Sequence, residues 1–462
     1  MALGKRGDEQ EDLFVTHQQL RAQSHPYYRA MNKILRDAGF DRFAEATCAK
    51  FYAKTMGRPS LPPGVYFRCL LVGYFEGIDS ERGIAWRAAD SLSLRDFLGI
   101  PASKATPDHS TLSKARKRIA IEAHQEVFNW ALGVLDGAGL IKGKTIGVDA
   151  TTLEANAAMK SIVRRDDGRS YEEFLTDLAK ASGIETPTRE DLARIDRKRK
   201  KKGSNADWVN PSDPDAKITK MKDGRTHLAH KQEHAVDMDT GAVVAMTLQD
   251  ATAGDTATLE GTIEAAEKNL DDARKHAGDD SKRTHDPEEV VADKGYHSKA
   301  VMLAMASLGL RSYIAEPRRG GQQWEDQAAE REAVYANRRR KNGERGRRLM
   351  RLRGELIERT FAHAFETGGM RRTHLRHHDN IGKRLLIHIA GFNLGLLMRK
   401  LFGVGKPRCL QGQGAGVAAL AAALVTLLET MAALLRLPAR YNPELPTTPR
   451  RLPELRGAQA TA

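Results

Sequence analysis

Apolar residues recur at helical spacing through the first third of the chain. The pattern predicts four helices, over residues 27–38, 42–52, 65–75 and 80–88. A stretch rich in glycine and proline separates the second helix from the third. We therefore expect residues 1–140 to form an all-helical N-terminal domain.

A fifth helix is predicted after residue 107, where Asp108 or Ser110 can cap its first turn. This helix carries a basic cluster that includes Lys114, Arg116 and Arg118. Short helices that end in a capped basic helix are typical of a helix-turn-helix, whose second helix contacts DNA. A helical bundle with a solvated basic face gives the same pattern, so both interpretations stay open.

From residue 141 the periodicity changes to short runs of β-branched and apolar residues. These runs predict five strands, at 145–150, 227–237, 242–248, 289–292 and 311–316. Two helices are predicted among them, at 256–276 and 298–308. A later helix, with apolar positions that include Leu385 and Phe392, should pack on the sheet. This order of elements is typical of a mixed five-stranded α/β sheet flanked by helices.

A polar stretch at residues 160–225 interrupts that order. It contains a run of basic residues at 197–202, within which Lys198 and Arg199 are candidate DNA contacts. We expect this stretch to be an insertion or a long loop that is partly mobile.

A second basic segment, residues 335–359, holds ten Lys or Arg against three Glu. It is predicted to form one helix, which can lie along a phosphate backbone or can be an ordinary solvated helix face. The candidate DNA contacts in this segment are Arg338, Arg339, Arg347, Arg348 and Arg359.

The formal net charge is +14 and the pI is about 9.6, which favours a polyanionic partner, nucleic acid before an anionic membrane. The three cysteines show no CxxC spacing, so we expect neither structural zinc nor disulfides, and a reducing cytosol fits. No apolar stretch near the N-terminus is typical of a signal peptide. Residues 416–435 are as long and apolar as a membrane span, but they are rich in alanine and contain Glu429, so we expect no membrane anchor.

Three carboxylates are the candidate catalytic residues. Asp149 and Asp293 each follow a short β-branched run, where a strand end would hold a carboxylate at the rim of the sheet, and Glu358 lies in the second basic segment. Mg²⁺ and Mn²⁺ prefer oxygen ligands, and two such ions about 4 Å apart can activate a nucleophile and stabilise a leaving oxygen at phosphorus. A strand-end aspartate is also a common turn residue or helix cap, so the pattern alone leaves both interpretations open.

Histidines and further polar residues near these carboxylates have simpler explanations. On a strand, His227 faces away from His230 and His234, so the three cannot converge on a metal. Asp237 should be structural, at a hairpin turn. Lys294, Tyr296 and His297, just past Asp293, are candidates to contact phosphate or to orient a metal-bound water, or they are ordinary loop residues. The sequence contains no phosphate-binding GxxxxGK[ST] motif.

Six segments in order resemble one known family: Pro107-Asp-His-Ser-Thr-Leu, Gly147-Val-Asp-Ala-Thr, Asp213-Pro-Asp-Ala, Glu233-His-Ala-Val-Asp, Ala292-Asp-Lys-Gly-Tyr and Ile357-Glu-Arg-Thr-Phe. Residues 24–402 resemble a bacterial insertion-sequence DDE transposase with an RNase H-like catalytic domain. The resemblance implies that Asp149, Asp293 and Glu358 are the catalytic triad and that they bind two ions of Mg²⁺ or Mn²⁺.

The chain departs from the family at the third carboxylate. Related transposases often carry a Tyr, an Arg three residues later and the catalytic Glu four residues after that. Here Tyr335 and Arg338 have the first spacing, but Asn342 follows, and Gly354 stands four residues before Glu358. Glu355 and Glu344 therefore remain alternatives to Glu358.

The resemblance implies a cut-and-paste reaction on double-stranded DNA. The enzyme would cleave at the terminal inverted repeats of its element, and the freed 3′-hydroxyl would attack target DNA. Residues 1–140 would bind DNA ends and dimerise, residues 141–402 would be catalytic, and 403–462 would be an Ala/Leu/Pro-rich tail. We expect a homodimer or higher homo-oligomer in the bacterial cytoplasm, associated with the nucleoid. Two alternatives remain, an RNase H-like endonuclease without strand transfer and a non-catalytic DNA-binding relic.

Overall fold

The computed structural model describes residues 24–53, 57, 59–199, 203–221, 223–277, 286–318 and 324–410. The predictions for the N-terminal segment before residue 24, for the apolar segment 416–435 and for the tail beyond residue 410 lie outside this part of the chain. All three cysteines fall within it, and each is a free thiol.

The N-terminal region is helical, as predicted. Several of its helices begin or end at a recognisable signal. Examples are Ser80, whose side chain accepts a hydrogen bond from the Gly83 N–H, and Gly77, whose φ of 71° suits a helix end. The helices are α1 (Pro26–Asp37), α2 (Phe40–Cys48), α3 (Pro63–Glu76), α4 (Glu81–Ala89), α5 (Leu92–Leu98), α6 (His109–Arg118) and α7 (Ile121–Gly137). Asp108 caps α6, since its side chain accepts a hydrogen bond from the Thr111 N–H at 2.8 Å.

The strands follow from residue 145 onward. They are β1 (Thr145–Glu154), β2 (Val163–Arg164), β3 (Trp208–Val209), β4 (Lys217–Lys220), β5 (Thr226–Asp237), β6 (Val243–Asp250), β7 (Glu289–Ala292) and β8 (Arg311–Ile314). The main sheet has the order β5-β1-β7-β8, and both β4 and β6 pair with β5. Strands β1, β7 and β8 are parallel, whereas β5 is antiparallel to its neighbours.

The remaining helices are α8 (Tyr171–Ala181), α9 (Arg189–Lys198), α10 (Asp255–Ala277), α11 (Lys299–Ser307), α12 (Ala328–Asn342), α13 (Glu344–Ala362) and α14 (His378–Phe402). Helix α10 covers β5 and β6, and α13 covers β1, β7 and β5. One hydrophobic core runs from the N-terminal helices through the sheet, and Trp130, Val148 and Leu270 all belong to it.

The predicted fold class is confirmed: an RNase H-like mixed sheet flanked by helices and preceded by an all-helical region. The predicted number of strands was wrong, since the described residues form a sheet of six strands rather than five. The extra strand is β4, which pairs with the first residues of β5 before β6 takes over that edge. It lies in the stretch that we interpreted as polar insertion.

That insertion is folded, so its interpretation as a long loop was wrong. Two capping boxes start its helices, one between Ser170 and Glu173 and one between Thr188 and Asp191. Trp208 is buried against the aromatic rings that α8 presents. Capped helices and a small aromatic core therefore compensate for the polar composition.

The basic segment 335–359 is also not one helix. It contains a break at Gly343, whose extended backbone ends α12 and starts α13. The close approach of α12 to α13 also requires glycine at position 346, because a Cβ there would lie 2.3 Å from the Arg340 carbonyl oxygen.

Helix α14 is long and apolar enough to cross a membrane by length and composition alone. Most of it is buried by other parts of the same chain, including α3, α7 and β6. We therefore interpret it as the core helix that was predicted to pack on the sheet.

Candidate active site

Asp149 lies within β1 rather than at its end, which corrects the prediction. The parallel pairing of β1 with β7 stops at Val148 and Ala292, while β1 continues along β5 as far as Glu154. Asp149 is thus the first residue past the β1–β7 pairing, where the sheet opens beside β1. The local pattern predicted a strand that ends at residue 150. The strand is longer because its residues beyond Val148 pair with β5, which is distant in the sequence.

Asp293 stands at the equivalent place on the neighbouring strand. It directly follows β7, and its Oδ1 accepts the Gly295 N–H at 2.7 Å, so it caps the short 3-10 turn Lys294–Tyr296. Burial raises the pKa of Asp149, the Arg353 guanidinium opposes this shift, and the charge of Asp293 adds to it. The two carboxylates are therefore close enough to repel each other.

Helix α13 packs on the sheet face that carries Asp149. Gly147 and Asp149 share that face because side chains alternate along a strand. A Cβ at Gly147 would lie 2.3 Å from Met238 Sδ and 2.9 Å from Ile357 Cδ1, so only glycine lets α13 approach this closely.

The direction of α13 distinguishes the three candidate glutamates. Its first turn lies at the start of β1 and β7, where Arg345 binds Glu289 with Nε–Oε1 of 3.1 Å. Its last turn lies beside Asp149, because the Thr360 hydroxyl is 2.8 Å from Nδ1 of His234, the residue paired with Asp149. Glu358 is exposed next to this last turn.

The other two glutamates are less well placed. Glu344 is the first residue of α13, about 21 Å along the helix axis from Glu358. Glu355 is exposed one turn before Glu358, and its Oε1 accepts a hydrogen bond from Arg359 at 2.7 Å. Glu358 is therefore the candidate closest along α13 to the end that lies beside Asp149, and its role as the third carboxylate stays a prediction.

The guanidinium of Arg353 contacts Asp149. Its Nη1 donates to Asp149 Oδ2 at 2.7 Å, and the two side chains are only 15% and 24% exposed. Arg353 was not among the predicted site residues, and it stands one residue before Gly354, where related transposases often carry an arginine.

The residues present fit a divalent cation. Asp149 and Asp293 offer hard oxygen ligands, and their mutual repulsion would be relieved by a positive ion between them. Glu358 would complete the donor set from α13. These are the same three carboxylates that the sequence predicted.

Among the described residues, Asp213, Asp215 and His377 bring three ligand atoms within 4.8 Å of one another. Both aspartates already have a structural role there. Asp213 accepts the His377 N–H at 3.1 Å and Asp215 accepts the His378 N–H at 2.9 Å, so both cap the start of α14. We therefore attribute this cluster to helix capping.

The predicted DNA contacts of the N-terminal region and the insertion occupy different environments. Lys114 and Lys198 are exposed. Arg116 is buried, with Nε 2.6 Å from Glu81 and Nη1 2.5 Å from Asn380, so it joins helices rather than forming an exposed phosphate contact. Arg118 lies over the Tyr52 ring, and Arg199 packs on the rings of α8.

Most of the other predicted DNA contacts lie on the surface of α12 and α13. Arg338 is bound to Glu316 by two hydrogen bonds and packs on Tyr335. Lys294, in the turn after Asp293, is exposed. The remaining exposed members are Arg339, Arg347, Arg348 and Arg359.

The three histidines do not converge, as predicted. His230 and His234 are fully buried on β5, and His227 is near Asp223 at the surface. Burial lowers the pKa of His234 to about 3, so its ring is neutral. Asp237 is structural, because its Oδ2 accepts the N–H groups of Lys142 at 2.6 Å and Gly143 at 3.2 Å.

Two family models match the chain. The one described as Transposase domain (DUF772) matches residues 15–118, and the one described as Transposase DDE domain matches residues 183–394. The second range contains Asp293 and Glu358, whereas Asp149 lies between the two ranges. Searches of the curated proteins and of the solved structures found no match.

Proposed function

Since the chain belongs to the DDE transposases of bacterial insertion sequences, we propose that it binds the terminal inverted repeats of its element and catalyses cleavage and strand transfer. The reaction would be of the cut-and-paste type and would take place in the cytoplasm, at the nucleoid. Two DNA ends must be joined to one target, so the active form would be a homodimer or a higher assembly.

The observation that supports this proposal most is the placement of Asp149 and Asp293 directly past the paired part of β1 and β7. Glu358 is exposed on α13, whose last turn contacts β5 through the Thr360 hydroxyl. We propose that these three residues hold two ions of Mg²⁺ or Mn²⁺. When bound, such ions activate a nucleophile and stabilise charge on the phosphate oxygens.

The remaining residues of the site would bind and orient DNA. Lys294 is exposed in the turn after Asp293, where its ammonium can approach a phosphate. Arg359 follows Glu358 and can do the same from α13. Arg353 holds the Asp149 carboxylate towards α13 through its hydrogen bond.

The surrounding surfaces would hold the DNA outside the reacting phosphate. The exposed arginines of α12 and α13 supply sequence-independent contacts to phosphates, together with Lys198 in the insertion. Residues 1–140 would recognise the repeats, with Lys114 on the exposed side of α6. We leave Arg116 out of this surface because it is buried.

The test is DNA cleavage by purified protein on end-containing duplex in Mg²⁺. Asp149→Ala, Asp293→Ala and Glu358→Ala should each lose cleavage by several orders of magnitude, whereas Glu355→Ala, one turn away on α13, should retain most of it. If Asp149→Ala or Asp293→Ala cleaves as well as the parent, the site assignment is wrong. Loss in Glu355→Ala with normal cleavage by Glu358→Ala would move the third role to Glu355.

The same purified protein and DNA ends also distinguish between the alternative functions. Pre-nicked ends incubated with target DNA should give joined products, and their absence despite cleavage would indicate an endonuclease without strand transfer. Metal-independent binding of the ends with no cleavage by the parent would indicate a relic.

A further inference from the structure

A network of buried polar residues lies on the sheet face opposite α13, directly beneath the proposed catalytic residues. Its centre is Glu233, which β5 places beside Ala150, the residue after Asp149. Glu233 is fully buried and faces α10. Its partners are Lys231, Thr258, Thr262 and Tyr296.

The carboxylate of Glu233 is held by four groups. Tyr296 donates its hydroxyl to Oε1 at 2.6 Å, and Thr258 donates to the same oxygen at 3.0 Å. Thr262 donates to Oε2, and Lys231 Nζ lies 3.7 Å from Oε1. A buried carboxylate with this many donors has one orientation.

Tyr296 connects this carboxylate to Asp293. It is the last residue of the turn that Asp293 caps, and it is fully buried. Burial and the neighbouring Glu233 raise the pKa of Tyr296, so its hydroxyl keeps its proton and remains a donor. The bond from Tyr296 to Glu233 therefore fixes the end of the turn against β5.

A second set of contacts links Glu233 to the turn Lys294–Tyr296 through Lys231 and Asp255. Lys231 Nζ binds Asp255 Oδ1 at 2.6 Å. The other oxygen of Asp255 packs on Gly295, since a Cβ at that position would lie 2.4 Å from it and 3.0 Å from Asp293 Oδ1. The turn is held on one side by Tyr296 and on the other by Asp255.

Stability alone does not explain such a network. Buried ion pairs are often no more stabilising than apolar residues of the same volume, because both charges lose their hydration. What the network supplies is a fixed position for the turn, and the affinity of carboxylates for a metal depends on such partners.

We propose that Glu233 and Tyr296 are positioning residues that fix the Asp293 carboxylate for divalent-cation binding. This inference rests on the proposed function, because it requires Asp293 to bind the cation. It predicts that loss of one hydroxyl, well below the reacting surface, weakens cation binding without unfolding the protein.

The test uses Tyr296→Phe and a matched control, Tyr28→Phe. Tyr28 is also buried and also donates its hydroxyl to a glutamate at 2.6 Å, but its partner is Glu76 in the N-terminal helices. Binding of Mn²⁺ to the full-length protein is measured by electron paramagnetic resonance, and thermal unfolding is followed without metal. The apparent Kd for Mn²⁺ should rise about 10-fold in Tyr296→Phe and stay unchanged in Tyr28→Phe, with similar falls in Tm for both.

Glu233→Gln provides a second measurement, since it keeps the size of the side chain and removes its charge. It should weaken Mn²⁺ binding at least as much as Tyr296→Phe. Parent-like affinity in both variants, while Asp293→Ala has lost Mn²⁺ binding, would overturn this inference and leave the proposed site intact. Parent-like affinity in both Asp149→Ala and Asp293→Ala would overturn the proposed site and this inference with it.

Discussion

Arg353 binds the Asp149 carboxylate, so a metal ion at the proposed site must compete with this contact or rearrange it. Removal of the guanidinium therefore has a defined cost. The change Arg353→Met keeps the apolar part of the side chain and removes the guanidinium. A hydrogen bond to a charged group contributes about 1.5–3 kcal/mol, and both partners are largely shielded from water. We therefore expect Arg353→Met to lower the free energy of unfolding by about 2 kcal/mol at pH 7.5.

The sign of the pH dependence follows from Asp149. Burial raises its pKa and Arg353 opposes the rise, so the pKa should rise further in Arg353→Met. A carboxyl group whose pKa is raised by folding destabilises the folded state at pH values where it is ionised. This penalty disappears as the pH falls towards the unfolded value of about 3.9. The deficit of the variant should thus be largest at neutral pH and shrink as the pH is lowered.

The assay is urea unfolding in EDTA at pH 7.5 and pH 5, with Arg351→Met as the control. Arg351 is exposed on the same helix, so its replacement should change stability by less than about 0.5 kcal/mol. Adding Mn²⁺ should stabilise Arg353→Met at least as much as the parent, because the ion supplies the positive partner of Asp149. Equal stability of the two variants at pH 7.5 would refute the reasoning.

Two further changes test the packing around the site. Gly295→Ala places a Cβ against Asp255 and Asp293 and should weaken Mn²⁺ binding, which calorimetry can measure. By contrast, Gly354→Ala adds a Cβ that meets no atom within 4 Å on α13 and should stabilise the protein by about 1 kcal/mol. Parent-like Mn²⁺ affinity in Gly295→Ala would contradict the close packing. Because the buried His234 has a pKa of about 3, only the unfolded state takes up a proton at this ring between pH 6.5 and pH 5, so His234 should lower stability by about 1.6 kcal/mol over that range. Urea unfolding should show a smaller fall in His234→Gln, and an equal fall would count against a neutral buried ring.

Local signals predicted the elements well where one side of an element is buried and the pattern repeats. The short strands β7 and β8 were predicted from their apolar runs. The helices of the insertion were missed because their apolar positions are few, although Ser170 with Glu173 and Thr188 with Asp191 have the spacing of capping boxes. These capping boxes are sufficient to predict the start of both helices.

What local patterns cannot supply is the partner of a side chain that is far away in the sequence. Arg116 belongs to a basic cluster, yet it is buried because Glu81 and Asn380, 35 and 264 positions away, both bind it. Asp149 was predicted at a strand end because its pairing with β5 is equally non-local. The two aspartates were nevertheless found, since the end of an apolar run and the end of the β1–β7 pairing nearly coincide.

The third carboxylate shows how the remaining part of the site depends on tertiary structure. A helical glutamate can belong to the site only if its helix is fixed along the sheet, and α13 is fixed at both ends. Arg345 binds Glu289 near the start of β7, and Thr360 binds His234 beside Asp149. The Thr360 hydroxyl donates to the Ile357 carbonyl, so the histidine must donate through Nδ1, which its neutral ring permits. These two contacts fix α13 along the sheet, and with it the positions of its glutamates relative to the aspartates.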